Sequence, residues 1–243
     1  MKTLSQKLSN WIENKVISAR AKGVVMGLSG GLDSAVVAVL CKNIFPSNTL
    51  TLIIPCHSLK QDIEDAKSVI RKFHLDYKII DLSEIYNLFI SILDQESIEE
   101  AKKSSGLARA NLIPRLRMVV LYYFANKLNY LVVGTGNKSE LMAGYFTKYG
   151  DGGVDLLPLG NLLKTQVREL AKYLDIPQRI IDKAPSAGLW KGQTDEGEMG
   201  ITYQDLDEYL ATGRLNNSAI LQKIQDRIFR NSHKRRRPEI PDF

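Results

Sequence analysis

The residues with the clearest chemical potential form one short segment, Gly27-Leu28-Ser29-Gly30-Gly31-Leu32-Asp33-Ser34. Apolar runs stand on both sides of it, so the pattern predicts a strand, a glycine turn and a helix. Glycines let an anion approach the backbone, and the N–H groups of the first helical turn point towards that anion. The segment therefore predicts a phosphate site, to which Ser29 and Ser34 add hydroxyl donors.

Asp33 is the one residue of this segment that does not suit an anion site. A carboxylate repels a phosphate unless a cation stands between them, which makes Asp33 a candidate Mg²⁺ ligand. The segment lacks the lysine of a Walker motif and the three spaced glycines of a dinucleotide-binding loop. The alternative is a glycine-rich turn in which Asp33 caps the helix and holds no metal.

A second polar turn, Gly134-Thr135-Gly136-Asn137-Lys138-Ser139-Glu140, directly follows another apolar run, residues 130–133. Ligands of open α/β sheets bind at the carboxyl ends of the strands. We therefore expect this turn to lie beside the first one, at the same edge of a sheet.

The remaining pattern predicts a single α/β domain over residues 1–243, doubly wound, with a mainly parallel five-stranded sheet flanked by helices. The expected core spans about residues 20–175, and 155–157 is the fifth strand candidate. Pro114 is expected to begin a helix that runs to about residue 128, because proline suits the first helical turn. Residues 184–202 are expected to form a flexible loop that closes over substrate, followed by closing helices and a basic tail, 203–243.

The helix after Pro114 is apolar on nearly all sides in its centre, residues 118–124. A helix without a polar face is buried in its own chain or shared with another one. We expect it to form the interface of a homodimer.

Composition restricts the function classes. The net charge is +6, from 33 basic and 27 acidic residues, and residues 227–237 alone hold six Lys/Arg and no acid. The rest of the chain is therefore balanced, which argues against a broad nucleic-acid-binding surface. No signal peptide or membrane span is visible, so the cytoplasm is the expected location. Cys41 and Cys56 have no metal or redox spacing and are expected to be buried thiols.

Two further segments make the pattern specific: Gly144-Tyr145-Phe146-Thr147-Lys148-Tyr149-Gly150-Asp151-Gly152-Gly153-Val154-Asp155, and a closing His233-Lys234-Arg235-Arg236. The first loop resembles the pyrophosphate loop of the ATP-pyrophosphatase superfamily. The full series, over nearly the whole chain, resembles the ammonia-dependent NAD synthetases. That resemblance implies a homodimer that converts deamido-NAD⁺, ATP and ammonia to NAD⁺, AMP and pyrophosphate through an acyl-adenylate. Glutamine-dependent members carry an amidase domain first. The first strand begins near residue 24, so we expect no such domain here.

The resemblance also implies site residues. ATP would be held by Gly27 to Ser34 with Thr135, Lys164 and Ser186, the last standing where the family usually has threonine. Mg²⁺ would be held by Asp33 and Glu140. Deamido-NAD⁺ would contact Arg115, Phe146, Lys148, Asp155, His233 and Lys234. Asp33, Glu140, Lys164 and Asp155 would carry the catalysis. Because ammonium dominates near pH 7, Asp155 or Asp151 is the candidate that binds it and accepts its proton.

Simpler interpretations stay open. Glu140 could cap a helix, Lys148 and His233 could be solvated, and Phe146 could be a core residue. The chain could instead be another ATP-pyrophosphatase-type ligase, a tRNA-modifying enzyme or a non-catalytic nucleotide-binding module.

Overall fold

The computed structural model describes residues 1–94, 101–186 and 192–241, with the backbone alone for 101–105. Its centre is a parallel sheet of four strands in the order β3-β2-β1-β4. The strands are β1 (Gly23–Gly27), β2 (Thr49–Ile53), β3 (Asp76–Ile79) and β4 (Tyr130–Val132). The predicted α/β class and parallel sheet are confirmed.

The expected fifth strand at 155–157 is reduced to a single parallel bridge between Leu156 and Val133. Two features stop it from extending. The Asp155 side chain accepts the Val132 N–H at 2.8 Å, which takes a donor away from further strand pairing. Pro158 follows two residues after Leu156 and has no N–H to donate.

Eleven helices belong to the described residues, and most lie against the two faces of the sheet. They are α1 (Lys2–Ser18), α2 (Leu32–Ile44), α3 (Lys60–Phe73), α4 (Ser83–Leu93), α5 (Ala101–Leu128), α6 (Lys138–Ala143), α7 (Lys164–Tyr173), α8 (Gln178–Ile181), α9 (Asp195–Met199), α10 (Tyr203–Thr212) and α11 (Ser218–Arg230). A short 3-10 turn, Ser232–Lys234, follows the last one. None of these helices is long and apolar enough to cross a membrane.

The sheet separates two apolar clusters because neighbouring strand residues point to opposite faces. Val24 and Met26 of β1 pack with α1, α2, α3 and α7 on one face. Val25 packs on the other face with Leu52 of β2 and Ile113 of α5. A third cluster joins α10 and α11 to the end of α6. This arrangement makes the fold doubly wound. Both cysteines are buried free thiols, as expected, and burial raises the pKa of Cys41 to about 12.

The prediction that Pro114 begins a helix is wrong, because α5 begins at Ala101 and Pro114 lies inside it. An internal proline removes one hydrogen bond and crowds the preceding turn, at a cost of about 3 kcal/mol. Ala110 and Ile113 are buried in the same part of the helix, and their packing offsets this cost. The sequence pattern of residues 82–106 predicts a helix, and residues 95–100 of this stretch lie outside the described residues.

The segment 184–202 is more structured than its glycines suggest. Thr194 caps the five-residue helix α9, and Asp195 and Met199 of that helix are buried. Residues 187–191 lie outside the described ranges. Closure of this segment over a substrate stays a prediction.

Gly30 fixes the turn between β1 and α2 against α3. Its φ of +79° is in the left-handed region, and a Cβ at this position would stand 2.2 Å from the Asp62 carbonyl oxygen. A Cβ at Gly27 would meet no atom within 4 Å. Of these two glycines, Gly30 is therefore the one that the packing of the free protein requires.

We expect Gly30→Ala to lower the free energy of unfolding by about 2 kcal/mol or more, because the substitution strains the backbone and drives a methyl group into α3. Urea unfolding measures the effect. Gly27→Ala is the matched control and should stay within about 0.5 kcal/mol of the parent. Equal stability of both variants would contradict the packing described for this turn.

Candidate active site

The carboxyl ends of the strands open into a cavity of about 810 Å³. The predicted phosphate loop lines it with every residue except Gly30, whose backbone is turned towards α3. The second polar turn contributes Gly134, Thr135 and Glu140, and Lys164 and Ser186 also face the cavity. The structure thus brings together, around one space, the residues that the sequence pairs with ATP.

The phosphate loop is held by its own serines. Ser34 Oγ accepts the Ser29 N–H at 3.2 Å and donates to the Gly31 carbonyl at 3.0 Å. Ser29 Oγ accepts the Gly31 N–H at 3.2 Å. Leu28 and Leu32 are buried in the core, so they offer a ligand only their backbone. These bonds fix the loop at the start of α2, where helix N–H groups favour an anion.

Lys164 connects the two predicted metal ligands. Its Nζ donates to Asp33 Oδ2 at 2.5 Å and to Glu140 Oε1 at 2.9 Å, and all three side chains are largely buried. Burial raises the pKa of Glu140, although the Lys164 charge works against this shift. Burial also opposes the charged form of Lys164, but the two carboxylates more than offset that effect and raise the pKa of Lys164. The ammonium group is the cation of this site in the free protein.

Glu140 both caps a helix and faces the charged centre, so the two interpretations of this residue are compatible. Its N–H donates to Asn137 Oδ1 at 3.0 Å, and its Oε2 accepts the Asn137 N–H at 3.2 Å, which forms a capping box at α6. Asn137 Nδ2 donates to Asp33 Oδ1 at 2.9 Å. The cap of α6 therefore positions both carboxylates.

Ser139 and Asp207 form a buried hydrogen-bonded pair that supports the backbone at Lys164. The sequence does not reveal this pair. Ser139 Oγ accepts the Lys164 N–H at 3.0 Å and donates a short hydrogen bond to Asp207 of α10. Asp207 Oδ2 accepts the Thr165 N–H at 2.9 Å. Ser139 and Asp207 thus cap α7 at the residue that carries the catalytic candidate. The one sequence signal for this pair is Asp207 itself, an acidic residue next to Leu206 on the buried face of α10.

Asp33 and Glu140 form a donor set that fits Mg²⁺. This ion is held in proteins by one or two carboxylates together with substrate phosphates and water, rather than by a full cage of side chains. Both carboxylates face the cavity beside the phosphate loop. In the described part of the chain no three His, Cys, Asp or Glu residues are grouped to hold a metal, so the phosphates of a bound nucleotide would supply the remaining ligands.

The residues expected to contact deamido-NAD⁺ form two groups. Lys234 and Phe146 line the cavity, and the Lys234 ammonium lies 5.5 Å from the Phe146 ring centre. Arg115, Lys148 and His233 form a chain beside the cavity: Arg115 Nη2 donates to the Lys148 carbonyl at 3.3 Å, and Lys148 Nζ donates to the His233 carbonyl at 3.2 Å. The basic tail therefore folds back onto the 144–155 segment.

Asp155 does not join either group. Its Oδ1 accepts the Tyr122 hydroxyl at 2.9 Å and its Oδ2 accepts the Val132 N–H, so both oxygens are engaged with α5 and β4. Asp155 also does not line the cavity, whereas Asp151 does. Asp155 thus bonds α5 and β4 and lies outside the cavity lining, and its roles in catalysis and in deamido-NAD⁺ binding stay predictions.

Several cavity residues were missed from the sequence. Lys183 donates to Asp62 Oδ1 at 2.7 Å and to Asp65 Oδ2 at 2.8 Å, which ties the start of the 184–202 segment to α3. Among the described side chains, two buried polar atoms have no hydrogen-bond partner, Arg168 Nε and Asp195 Oδ1, and both residues line the cavity. Arg168 lies one turn beyond Lys164 on α7, and only this spacing could have indicated it.

We expect Lys164→Met to destabilise the metal-free protein by about 3 kcal/mol at pH 8, because it leaves two carboxylates buried without their cation. The raised pKa of Glu140 should then rise further. A raised pKa means that the folded protein keeps a proton that the unfolded chain releases above about pH 4.3. The parent already keeps this proton up to a Glu140 pKa of about 7, so the deficit of the variant relative to the parent opens near pH 7 and grows towards pH 8. Urea unfolding in EDTA measures it. Lys172→Met, at an exposed pair on the same helix, is the control. A deficit independent of pH would rule out this coupling.

The sequence pattern of the NAD synthase family matches residues 4–238. An NH(3)-dependent NAD(+) synthetase of Carboxydothermus hydrogenoformans is 54% identical over 98% of this chain and 96% of that protein. An NMN synthetase structure from Francisella tularensis has a TM-score of 0.93 at 42% identity and covers 100% of this chain and 98% of that one. An NH3-dependent NAD synthetase structure from Campylobacter jejuni has a TM-score of 0.80 at 33% identity, with 99% and 98% coverage. The chain belongs to the NAD synthase family.

Proposed function

We propose that this chain is an ATP-dependent ligase that amidates deamido-NAD⁺ with ammonia and releases NAD⁺, AMP and pyrophosphate. Family membership supports this reaction. The observation that carries it is the buried contact of Lys164 with Asp33 and Glu140 at the end of the phosphate loop. A module that only binds nucleotide needs no buried, paired carboxylates there.

The first step activates a poor electrophile. A nicotinate carboxylate oxygen attacks the α-phosphorus of ATP, an O–P bond forms, and the bond to the pyrophosphate oxygen breaks. Negative charge accumulates on the departing pyrophosphate. The backbone N–H groups from Ser29 to Ser34, the Lys164 ammonium and the Ser186 hydroxyl are the groups that would bind it. Mg²⁺ held by Asp33 and Glu140 would neutralise part of the same charge.

The second step replaces AMP by nitrogen. The lone pair of ammonia attacks the carbonyl carbon, a C–N bond forms, the C–O bond to AMP breaks with its electron pair, and the nitrogen loses a proton. Phe146 and Lys234 would hold the nicotinate nucleotide in the cavity, with Arg115, Lys148 and His233 beside its opening. The two buried thiols support a reducing compartment, and we place the reaction in the cytoplasm.

With ATP, Mg²⁺, ammonium and deamido-NAD⁺, we expect NAD⁺ and pyrophosphate in a 1:1 ratio. Asp33→Asn and Glu140→Gln should each lower kcat/KM at least about 100-fold, because each removes charge that stabilises the leaving group. Glu169→Gln is the control, since Glu169 lies on the exposed side of α7. No product from folded protein would refute the function, and full activity of both carboxamide variants would refute their roles.

A second candidate substrate is nicotinic acid mononucleotide. The similarity to the Francisella tularensis NMN synthetase, at a TM-score of 0.93, favours it. The chemistry is the same, because the carboxyl group that is activated is the same. Parallel measurements of kcat/KM with the mononucleotide and the dinucleotide decide between them, and the substrate with the higher value is the natural one.

We also propose that the chain acts as a homodimer through α4 and α5. None of the residues of α4 is buried, although the helix is rich in large apolar side chains. Leu88 and Ile92 are 59% and 57% exposed, and Val119 and Tyr123 of the neighbouring α5 are each 59% exposed. Several large apolar side chains exposed on two neighbouring helices are typical of an interface.

We expect the double variant Leu88→Asp/Ile92→Asp to be monomeric, because the charges would have to be buried in the dimer. Sedimentation equilibrium measures the mass. Phe229→Asp is the control, since Phe229 is 79% exposed on α11 and lies far from this surface in the sequence. If the double variant remains dimeric, the interface lies elsewhere.

A further inference from the structure

The second step of the proposed function requires a small cation to enter a cavity built for anions. Ammonium is the main form of ammonia near neutral pH, and a buried cation needs a carboxylate that is not already paired. The carboxylates that line the cavity are Asp33, Asp62, Glu140, Asp151, Asp195 and Glu198. The inference below depends on the proposed function.

Each of the six accepts at least one bond from the protein, and five of them have no oxygen among the described buried polar atoms that lack a hydrogen-bond partner. Asp33 and Glu140 share Lys164, and Asp62 accepts a hydrogen bond from Lys183 at 2.7 Å. Asp151 accepts the Thr147 N–H at 2.8 Å. Glu198 Oε2 accepts both the Tyr145 hydroxyl and the Gln193 amide at 2.9 Å.

Asp195 differs from the other five. The residue is only 4% exposed, and its Oδ2 accepts the Tyr203 hydroxyl at 2.8 Å. Its Oδ1 is buried and has no hydrogen-bond partner among the described residues. The Tyr145 hydroxyl also approaches Asp195 closely enough for the two side chains to shift each other's pKa by hydrogen bonding, but it donates its single proton to Glu198 Oε2 at 2.9 Å. One carboxylate oxygen therefore lies in the cavity wall without a donor.

A buried carboxylate oxygen without a hydrogen-bond donor destabilises the folded protein, and a bound ligand can remove this cost. Burial raises the pKa of Asp195, and the hydrogen bond from Tyr203, the charge of Lys164 and the nearby Tyr145 hydroxyl work against this shift. A buried acceptor without a donor costs about 1–3 kcal/mol, more if it is charged. A cation with N–H donors would satisfy the oxygen and its charge together.

We propose that Asp195 binds the ammonium ion that supplies the amide nitrogen, with Oδ1 as the acceptor and Tyr203 as the residue that holds the carboxylate in place. Tyr203 lies between this site and the charged centre: its ring centre is 5.2 Å from the Lys164 Nζ, and its hydroxyl is 3.5 Å from Glu140 Oε1. Asp195 is thus next to the place where the pyrophosphate leaves.

The surroundings suit ammonium better than a second metal ion. Mg²⁺ requires about six oxygen ligands in a near-ideal octahedron, and Asp195 offers one open oxygen. Its hydroxyl neighbours belong to Tyr145 and Tyr203. A carboxylate oxygen with hydroxyl oxygens beside it can accept the N–H donors of a small cation.

The main test compares substrates in Asp195→Asn, which keeps an oxygen for Tyr203 and places an N–H₂ group at the open position. We expect the KM for ammonium to rise at least about tenfold at fixed pH, while the KM values for ATP and deamido-NAD⁺ stay within about twofold. Hydroxylamine is largely uncharged at pH 8, so the same variant should raise the KM for hydroxylamine by less than about threefold. Tyr203→Phe should also raise the KM for ammonium, by a smaller factor than Asp195→Asn does.

Glu196→Gln is the matched control, because Glu196 lies on the same short helix, bonds only the Tyr203 backbone N–H among the described contacts and does not line the cavity. Exchange of pyrophosphate into ATP, driven by deamido-NAD⁺ without ammonium, reports the first step alone. If the wild-type protein shows no exchange, the proposed function itself is overturned. With exchange intact, an unchanged ammonium KM in Asp195→Asn overturns the ammonium site. Loss of exchange with a shifted Mg²⁺ dependence also overturns it, because Asp195 would then belong to the ATP site.

Discussion

One buried ammonium group between two carboxylates is the interaction on which the site depends. Lys164 reaches Asp33 across 131 residues of chain and Glu140 across 24. Each of the three belongs to the first turn of a different helix, α2, α6 or α7. The start of a helix is also where its N–H groups favour anions. These ion pairs therefore hold the N-termini of three helices together at one edge of the sheet.

The ion pairs of Lys164 with Asp33 and Glu140 are stable only because the protein fixes the backbone that carries these residues. A buried ion pair repays its desolvation only if its geometry is good and its other polar atoms are bonded. The Asn137 capping box does this for Asp33 and Glu140, and Ser139 with Asp207 does it for the start of α7. Asp207 comes from α10, near the end of the chain. The closing helices are therefore part of the site's construction, although they follow the sheet by many residues.

The sequence predicted the features that depend on neighbouring residues. The phosphate loop, the four strands and most helices follow from apolar periodicity and glycine position, and the two polar turns meet because parallel strands end at one edge. It did not predict features decided by distant contacts. The predicted fifth strand does not extend because the Asp155 side chain occupies the Val132 N–H that a strand would pair with. Pro114 lies inside α5 because packing outweighs the cost of an internal proline. Asp195 could not be identified either, since its missing hydrogen-bond partner is visible only when every neighbour is in place.

The basic tail shows why net charge alone could not assign a role. A cluster of Lys and Arg is typical of an anion-binding surface, yet much of this cluster is bonded to main-chain carbonyls. Arg227 donates to Ala143, Lys234 to Gly144 and Phe146, and Arg235 to Leu141 and Met142. Cations favour the carboxyl end of a helix such as α6, where carbonyls are unpaired. The tail thus fixes the backbone that carries Phe146 into the cavity, and Lys234, which also lines that cavity, can serve the fold and a bound anion at the same time.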